Sequence, residues 1–138
     1  MISNVVLDTG PLVAYLRERD KDHAWAIEQL QHIRQPLLTC EAVLTEACFL
    51  LRGEPTGIDQ IGVYLREGLL AVSFEVMPQH DRVFGLMETY RNVPMSFADA
   101  CLVCMAESLP EARVFTLDSD FRIYRQHNRK QIPLIIPD

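Results

Sequence analysis

Short apolar segments alternate with helical segments along the whole of this 138-residue chain. The apolar segments are rich in valine, leucine and isoleucine, whereas the segments between them repeat apolar side chains at helical spacing. Such alternation favours a mainly parallel sheet with helices on both faces, because parallel neighbours need long crossovers that cover the sheet. The sequence therefore predicts an α/β fold, a three-layer α/β/α sandwich with about four to five strands, in a single domain spanning residues 1–138.

The predicted elements follow one another without a repeat or a low-complexity segment. Strands are expected at residues 3–7, 36–39, 70–74, 113–117 and 133–136. Helices are expected at about 12–17, around 25–33, at about 40–52, 58–67 and 78–90, from 96 to shortly before Pro110, and as a short helix at 118–124. One or two helices thus connect each strand to the next.

Charge and composition restrict the function classes. The formal net charge is −6, which is unfavourable for a general nucleic-acid binder unless many carboxylates share a metal site that reverses the local charge. The four cysteines fall in apolar stretches and no signal segment precedes them, so we expect reduced thiols in a cytoplasm. No apolar run approaches the roughly 20 residues that span a bilayer, so we expect no membrane role.

Asp8 and Asp118 each follow an apolar strand and begin a turn into a helix. In an open parallel sheet ligands bind outside the carboxyl ends of the strands, so both carboxylates are expected at one edge. Each aspartate could instead only cap the helix that follows it.

Glu46 and Asp99 are predicted to lie on the apolar faces of their helices. Glu46 has Val43 and Phe49 three residues away, and Asp99 is followed at helical spacing by Leu102. A carboxylate that faces inward normally pairs with a cation, accepts hydrogen bonds or binds metal. For Asp99 a capping box with Ser96, and for Glu46 a salt bridge to a distant arginine such as Arg17 or Arg91, are the structural alternatives.

Together, Asp8, Glu46, Asp99 and Asp118 predict a metal site. Carboxylates within about 5 Å of one another repel by roughly 3 kcal/mol per pair at an effective dielectric near 20, so a positive ion must hold them together. Oxygen ligands without histidine or cysteine select hard cations such as Mg²⁺. The four histidines lack metal-ligand spacing, which argues against zinc.

Four sequence motifs, taken in their order along the chain, resemble those of a known family. The first, at residues 6–13, reads VLDTGPLV and is similar to the opening of a PIN domain of the VapC-like group. Glu46 stands where that family has a helical glutamate. The motifs SFADA at 96–100 and VFTLDSDF at 114–121 are similar to its third and fourth acidic motifs. The resemblance covers essentially the whole chain.

This resemblance implies a Mg²⁺- or Mn²⁺-dependent endoribonuclease in which a metal-activated water cleaves RNA and leaves a 5′-phosphate and a 3′-hydroxyl. It also implies the toxin of a toxin–antitoxin pair, an antitoxin protein as partner, and a homodimer. By the same resemblance Thr9 and Thr116 support the site, and Asp120 is an additional ligand or a supporting group.

Several alternatives stay open. Arg122, Arg125, Arg129 and Lys130 follow the last acidic motif and could contact an RNA backbone, but a solvated surface explains them equally well. A non-catalytic PIN-fold module that binds RNA or protein, and a DNA-directed nuclease of the same fold, are the rival functions. The intact acidic quartet argues against the first, and only substrates made of deoxyribose would separate the second.

Overall fold

The structure is a computed structural model that describes all residues from 1 to 138. The strands are β1 (Val5–Leu7), β2 (Leu37–Thr39), β3 (Leu70–Val72), β4 (Arg113–Phe115), β5 (Arg125–Gln126), β6 (Lys130–Gln131) and β7 (Leu134–Ile135). The helices are α1 (Thr9–Leu16), α2 (His23–Leu30), α3 (Glu41–Leu50), α4 (Gly57–Glu67), α5 (His80–Thr89) and α6 (Phe97–Ser108). None of these helices is long and apolar enough to cross a membrane.

Five strands form a parallel sheet in the order β3-β2-β1-β4-β7. The central strand β1 pairs Val6 with Leu38 on one side and with Val114 on the other. From β1 the chain first builds one half of the sheet and later the other, so β1 and β4 are neighbours across the point where the strand order reverses. The predicted three-layer α/β/α fold with four to five strands is confirmed.

Two apolar layers cover the sheet. On β1, Val5 and Leu7 face a cluster that includes residues of α1, α3 and α4, whereas Val6 faces a second cluster built mainly from α5 and α6. On β4, Phe115 faces the first of these clusters and Val114 faces the second. This is the alternation that strands impose on successive side chains, and it explains why the inner strands are apolar throughout.

The elements next to the acidic residues differ from the prediction. α1 begins at Thr9 directly after Asp8, not at Leu12, because Asp8 caps it and Pro11 is tolerated in a first turn. Residues 119–122 form a 3₁₀ turn instead of a helix reaching Tyr124. The antiparallel pair β5–β6 follows that turn and was not predicted.

Candidate active site

An open cleft of about 1150 Å³ lies at the carboxyl edge of the sheet. Its lining includes six acidic residues and no lysine, arginine or histidine; the acidic residues are Asp8, Glu41, Glu46, Asp99, Asp118 and Asp120. Thr9 also lines it. The cleft therefore brings together the four carboxylates that the sequence singled out, in a strongly negative environment. Its volume exceeds the roughly 300–1,000 Å³ of pockets for small ligands, which suits an extended substrate.

Asp8 is the carboxylate at the floor of this cleft. It ends β1, is 7% exposed, and accepts hydrogen bonds from the Thr9 backbone N–H (2.7 Å, Oδ1) and the Thr116 hydroxyl (2.7 Å, Oδ2). Burial raises the pKa of Asp8 to about 6, against the lowering effect of the two hydrogen bonds. The negative charges of Asp99 and Glu46 contribute to this rise, so both carboxylates lie within electrostatic reach.

The Thr9 hydroxyl donates a 2.9 Å hydrogen bond to Oε1 of Glu46 and so joins α1 to α3. Glu46 is exposed to the cleft, and the expectation that it faces the core is wrong. Of the two apolar residues that suggested a buried face, Val43 is buried but Phe49 is exposed, because its side of α3 lines the cleft. The alternative partner Arg17 pairs with Glu54.

Asp99 sits in the first turn of α6, where it forms a capping box with Ser96. Its Oδ2 also accepts a 3.0 Å hydrogen bond from the hydroxyl of the fully buried Tyr124. Burial is the largest effect on Asp99 and raises its pKa, although Tyr124 and Ser96 oppose it. Sequence reasoning missed Tyr124, since the expected helix to Tyr124 gave no reason to place its hydroxyl against Asp99.

Thr116 connects the first and last acidic motifs. Its hydroxyl donates to Asp8 and accepts from the backbone N–H of Asp118 at 2.9 Å. Thr116 is fully buried. Asp118 in turn accepts from the Asp120 backbone N–H through Oδ1. Both aspartates after strands are thus helix caps and cleft residues at once, so the two interpretations do not exclude each other.

The donor set fits a hard divalent cation. Asp99 Oδ1, Asp118 Oδ2 and Glu46 Oε2 accept no protein hydrogen bond, and neither does the carboxylate of Asp120. However, no three histidine, cysteine, aspartate or glutamate side chains lie close enough together to form a ready-made metal-binding group. Like charges repel, and local hydrogen bonds hold several of these carboxylates in their own elements, so a cation would have to draw them together.

Comparisons with known proteins identify the family and the fold of this chain. The family model of the PIN domain matches residues 5–126. The chain belongs to the PIN-domain family. The match confirms the resemblance that the four motifs indicated.

A solved structure shares the fold. The Mycobacterium tuberculosis toxin VapC20, described as a sarcin–ricin-loop-cleaving toxin, superposes with a TM-score of 0.69 at 18% identity, covering 84% of this chain and 91% of that one. At this identity the likeness shows the fold of the PIN domain only. No curated protein matches the sequence.

The basic residues of this PIN domain lie outside the cleft lining. Arg122, Arg129 and Lys130 are exposed, and Arg125 donates to the carbonyl oxygens of three preceding residues, beginning with Arg122 at 2.8 Å. Arg125 therefore holds its own turn together. A role for these residues in RNA contact stays a prediction.

The cysteines contribute to packing. All four are free thiols, and Cys40, Cys101 and Cys104 are buried. Cys40 and Cys101 both line the cleft, and the neighbouring Cys40 thiol, followed by burial, raises the pKa of Cys101 far above its usual range. Thiols that are buried in apolar surroundings are expected to be unreactive.

Proposed function

We propose that this PIN domain is a Mg²⁺- or Mn²⁺-dependent endoribonuclease. The observation that carries the proposal is the convergence of Asp8, Glu46, Asp99 and Asp118, from four separate segments, on one cleft at the point where the strand order reverses. Repulsion between clustered carboxylates lowers the stability of the folded protein. Such clusters are therefore typical of functional sites and not of structural packing.

The residues have distinct tasks in this proposal. Asp99, Asp118 and Glu46 would hold the cation through the oxygens that accept no hydrogen bond. Asp8 would join them through oxygens that also accept from Thr9 and Thr116. Thr9 and Thr116 fix the carboxylates of Glu46 and Asp8, because each hydroxyl donates to a carboxylate oxygen. Asp120 lies at the rim of the same cleft and serves as a further ligand or as a water-holding group.

When bound, a divalent cation would lower the pKa of a water and neutralise the charge of the scissile phosphate. The acidic cleft also needs such a cation before it admits RNA, since its lining carries no positive side chain. The expected products are a 5′-phosphate and a 3′-hydroxyl. This polarity is what the family resemblance implies.

The decisive test is cleavage of total cellular RNA by the purified protein, with Mg²⁺ or Mn²⁺ and with chelator, followed by sequencing of the new ends. Asp99→Asn should abolish cleavage. Asp81→Asn is the matched control, because that aspartate is 99% exposed on α5 and lies outside the cleft. Cleavage by the Asp99→Asn variant, or cleavage by the wild type in the presence of chelator, would show that the activity comes from another site or from a contaminant.

We further propose that the protein is the toxin of a toxin–antitoxin pair, acting in the cytoplasm and assembling as a homodimer. The support is the fold shared with VapC20, which is itself described as a toxin. Expression in a host should arrest growth, and a small protein encoded beside the gene should relieve the arrest and co-purify. Light scattering would measure the dimer.

The rival function is a module that binds RNA or protein without cutting. The spacing of the carboxylates favours it, since no three of them are already grouped for a cation. RNA retention without new ends in the same experiment would select this function. Cleavage of a deoxyribose substrate at a comparable rate would instead select a DNA-directed nuclease of this fold.

A further inference from the structure

The rim of the acidic cleft carries an exposed aromatic ring. Phe49 on α3 lines the cleft and is 61% exposed, and the neighbouring Leu50 is 38% exposed. Phe49 makes no ring contact with another aromatic residue, unlike Phe84, Phe97 or Phe121. A single exposed phenylalanine is common on surfaces, so its significance depends on what surrounds it.

Phe49 lies one helical turn after Glu46. Side chains three residues apart on a helix are neighbours, with Cβ atoms about 5–6 Å apart. Glu46 is itself joined to Thr9, the residue after Asp8. The ring is therefore next to Glu46, in the same cleft as the other carboxylates that would act on a phosphate.

Arg52 provides the second, independent observation. Its guanidinium lies 4.0 Å from the centre of the Phe49 ring, and its Nη1 donates a 2.7 Å hydrogen bond to the Phe49 carbonyl. The guanidinium covers part of the ring and places a positive charge at the border of a cleft whose lining has none. An exposed aromatic backed by an arginine is the combination that binds unpaired nucleobases and the phosphates next to them.

We propose that Phe49 and Arg52 form a subsite that stacks an unpaired nucleobase of a single-stranded RNA. The inference deepens the proposed function, on which it rests for the position of the scissile phosphate. The stacking surface accepts any base, because every base has a π-face. Arg52 contacts the neighbouring phosphate, and the strand enters the cleft over α3.

Binding is measured separately from cleavage. Short single-stranded RNAs of random sequence carry one 2-aminopurine, and Ca²⁺ replaces Mg²⁺ because it takes the same oxygen ligands. Fluorescence quenching by the full-length protein reports stacking and affinity. Phe49→Ala should weaken binding by roughly 5- to 100-fold, in line with the loss of one stacked base. Phe49→Trp should retain both the quenching and the affinity.

Ile58→Ala is the control for the loss of an exposed apolar side chain, because Ile58 is 44% exposed on α4 and does not line the cleft. The inference is overturned if Phe49→Ala binds RNA like the wild type, if both alanine variants weaken binding equally, or if the wild type binds no RNA. A Phe49→Ala protein with unchanged RNA affinity and an altered mass in light scattering would identify the ring as a protein contact and would also overturn it.

The two proposals fail separately. Phe49-dependent stacking without any cleavage in Mg²⁺ or Mn²⁺ supports the subsite and contradicts the nuclease. Cleavage that Phe49→Ala leaves unchanged in both kcat and KM supports the nuclease and contradicts the subsite. If the subsite only binds RNA, its loss in Phe49→Ala should raise KM more than it lowers kcat.

Discussion

Asp8 is the one acidic residue among the buried side chains of this PIN domain, and its pKa is the clearest residue-scale sign of a site. Folding raises that pKa from 3.8 to about 6, with burial as the main cause. The folded state therefore keeps a proton that the unfolded state releases between about pH 4 and 6. The stability from this proton is full below pH 4 and is lost as the pH rises through 6.

Asp8→Asn should consequently stabilise the metal-free protein at pH 7. The expected gain in the free energy of unfolding is about 1 to 3 kcal/mol, since a shift of one pKa unit corresponds to about 1.4 kcal/mol. Urea denaturation in chelator at pH 7 and at pH 4 measures it, and the gain should shrink at pH 4, where Asp8 is protonated. A variant less stable than the wild type at pH 7 would mean that the hydrogen bonds outweigh the burial of the charge.

Tyr124 positions Asp99, and its hydroxyl has no other hydrogen-bond partner. Tyr124→Phe should lower the rate of RNA cleavage by about tenfold, because hydrogen bonds to charged groups contribute about 1.5–3 kcal/mol. The acid limb of the pH–rate profile should also move upward, since the lost donor favoured the ionised carboxylate. Tyr90→Phe is the comparison: that hydroxyl accepts from the Arg125 backbone and does not contact Asp99. Equal losses in both variants would indicate a packing effect only.

At the scale of elements, the approach of α1 to the loop after β4 places the first and last acidic motifs side by side. Gly10 makes this approach possible. A Cβ at Gly10 would lie 3.2 Å from both Cβ and Cδ1 of Leu117, the residue before Asp118. Rotation of the Leu117 side chain does not move the Leu117 Cβ and cannot relieve this contact. The backbone of the loop must therefore move.

Gly10→Ala should therefore disturb the site more than the fold. We expect RNA cleavage to fall several-fold as Asp118 shifts with Leu117, while the melting temperature changes little. Gly62→Ala on α4, where a Cβ would meet no atom within 4 Å, is the matched control and should leave cleavage unchanged. A fully active Gly10→Ala protein would show that the loop adapts without moving the carboxylate.

The elements also show what could be predicted from the sequence. The strands were predictable because both faces of the central strands are buried and their residues are apolar throughout. The orientation of Glu46 was not predictable from the sequence. The same apolar spacing occurs on a helix face that packs against the core and on one that lines a cleft. The pair β5–β6 was missed since each strand has two polar residues, and its pairing depends on the turn at His127 and Asn128, which both adopt positive φ.

The whole molecule combines a net charge of −6 with a cleft that holds six of its nineteen acidic residues. Repulsion in the cleft opposes folding, and a cation that neutralises it should stabilise the native state by mass action. Protons compete with the cation for the same oxygens, because the pKa values of Asp8 and Asp99 are both raised. The stabilisation by metal must then depend on pH.

Mg²⁺ or Mn²⁺ should raise the melting temperature at pH 7.5, and this increase should be much smaller at about pH 5. At a cation concentration about a hundred times its Kd, mass action gives about 2.7 kcal/mol, which corresponds to several degrees for a domain of this size. Differential scanning calorimetry measures the shift, with Asp8→Asn and Asp81→Asn as the paired variants. The first should lose the metal response and the second should keep it. An identical response in both variants would place the cation outside the cleft.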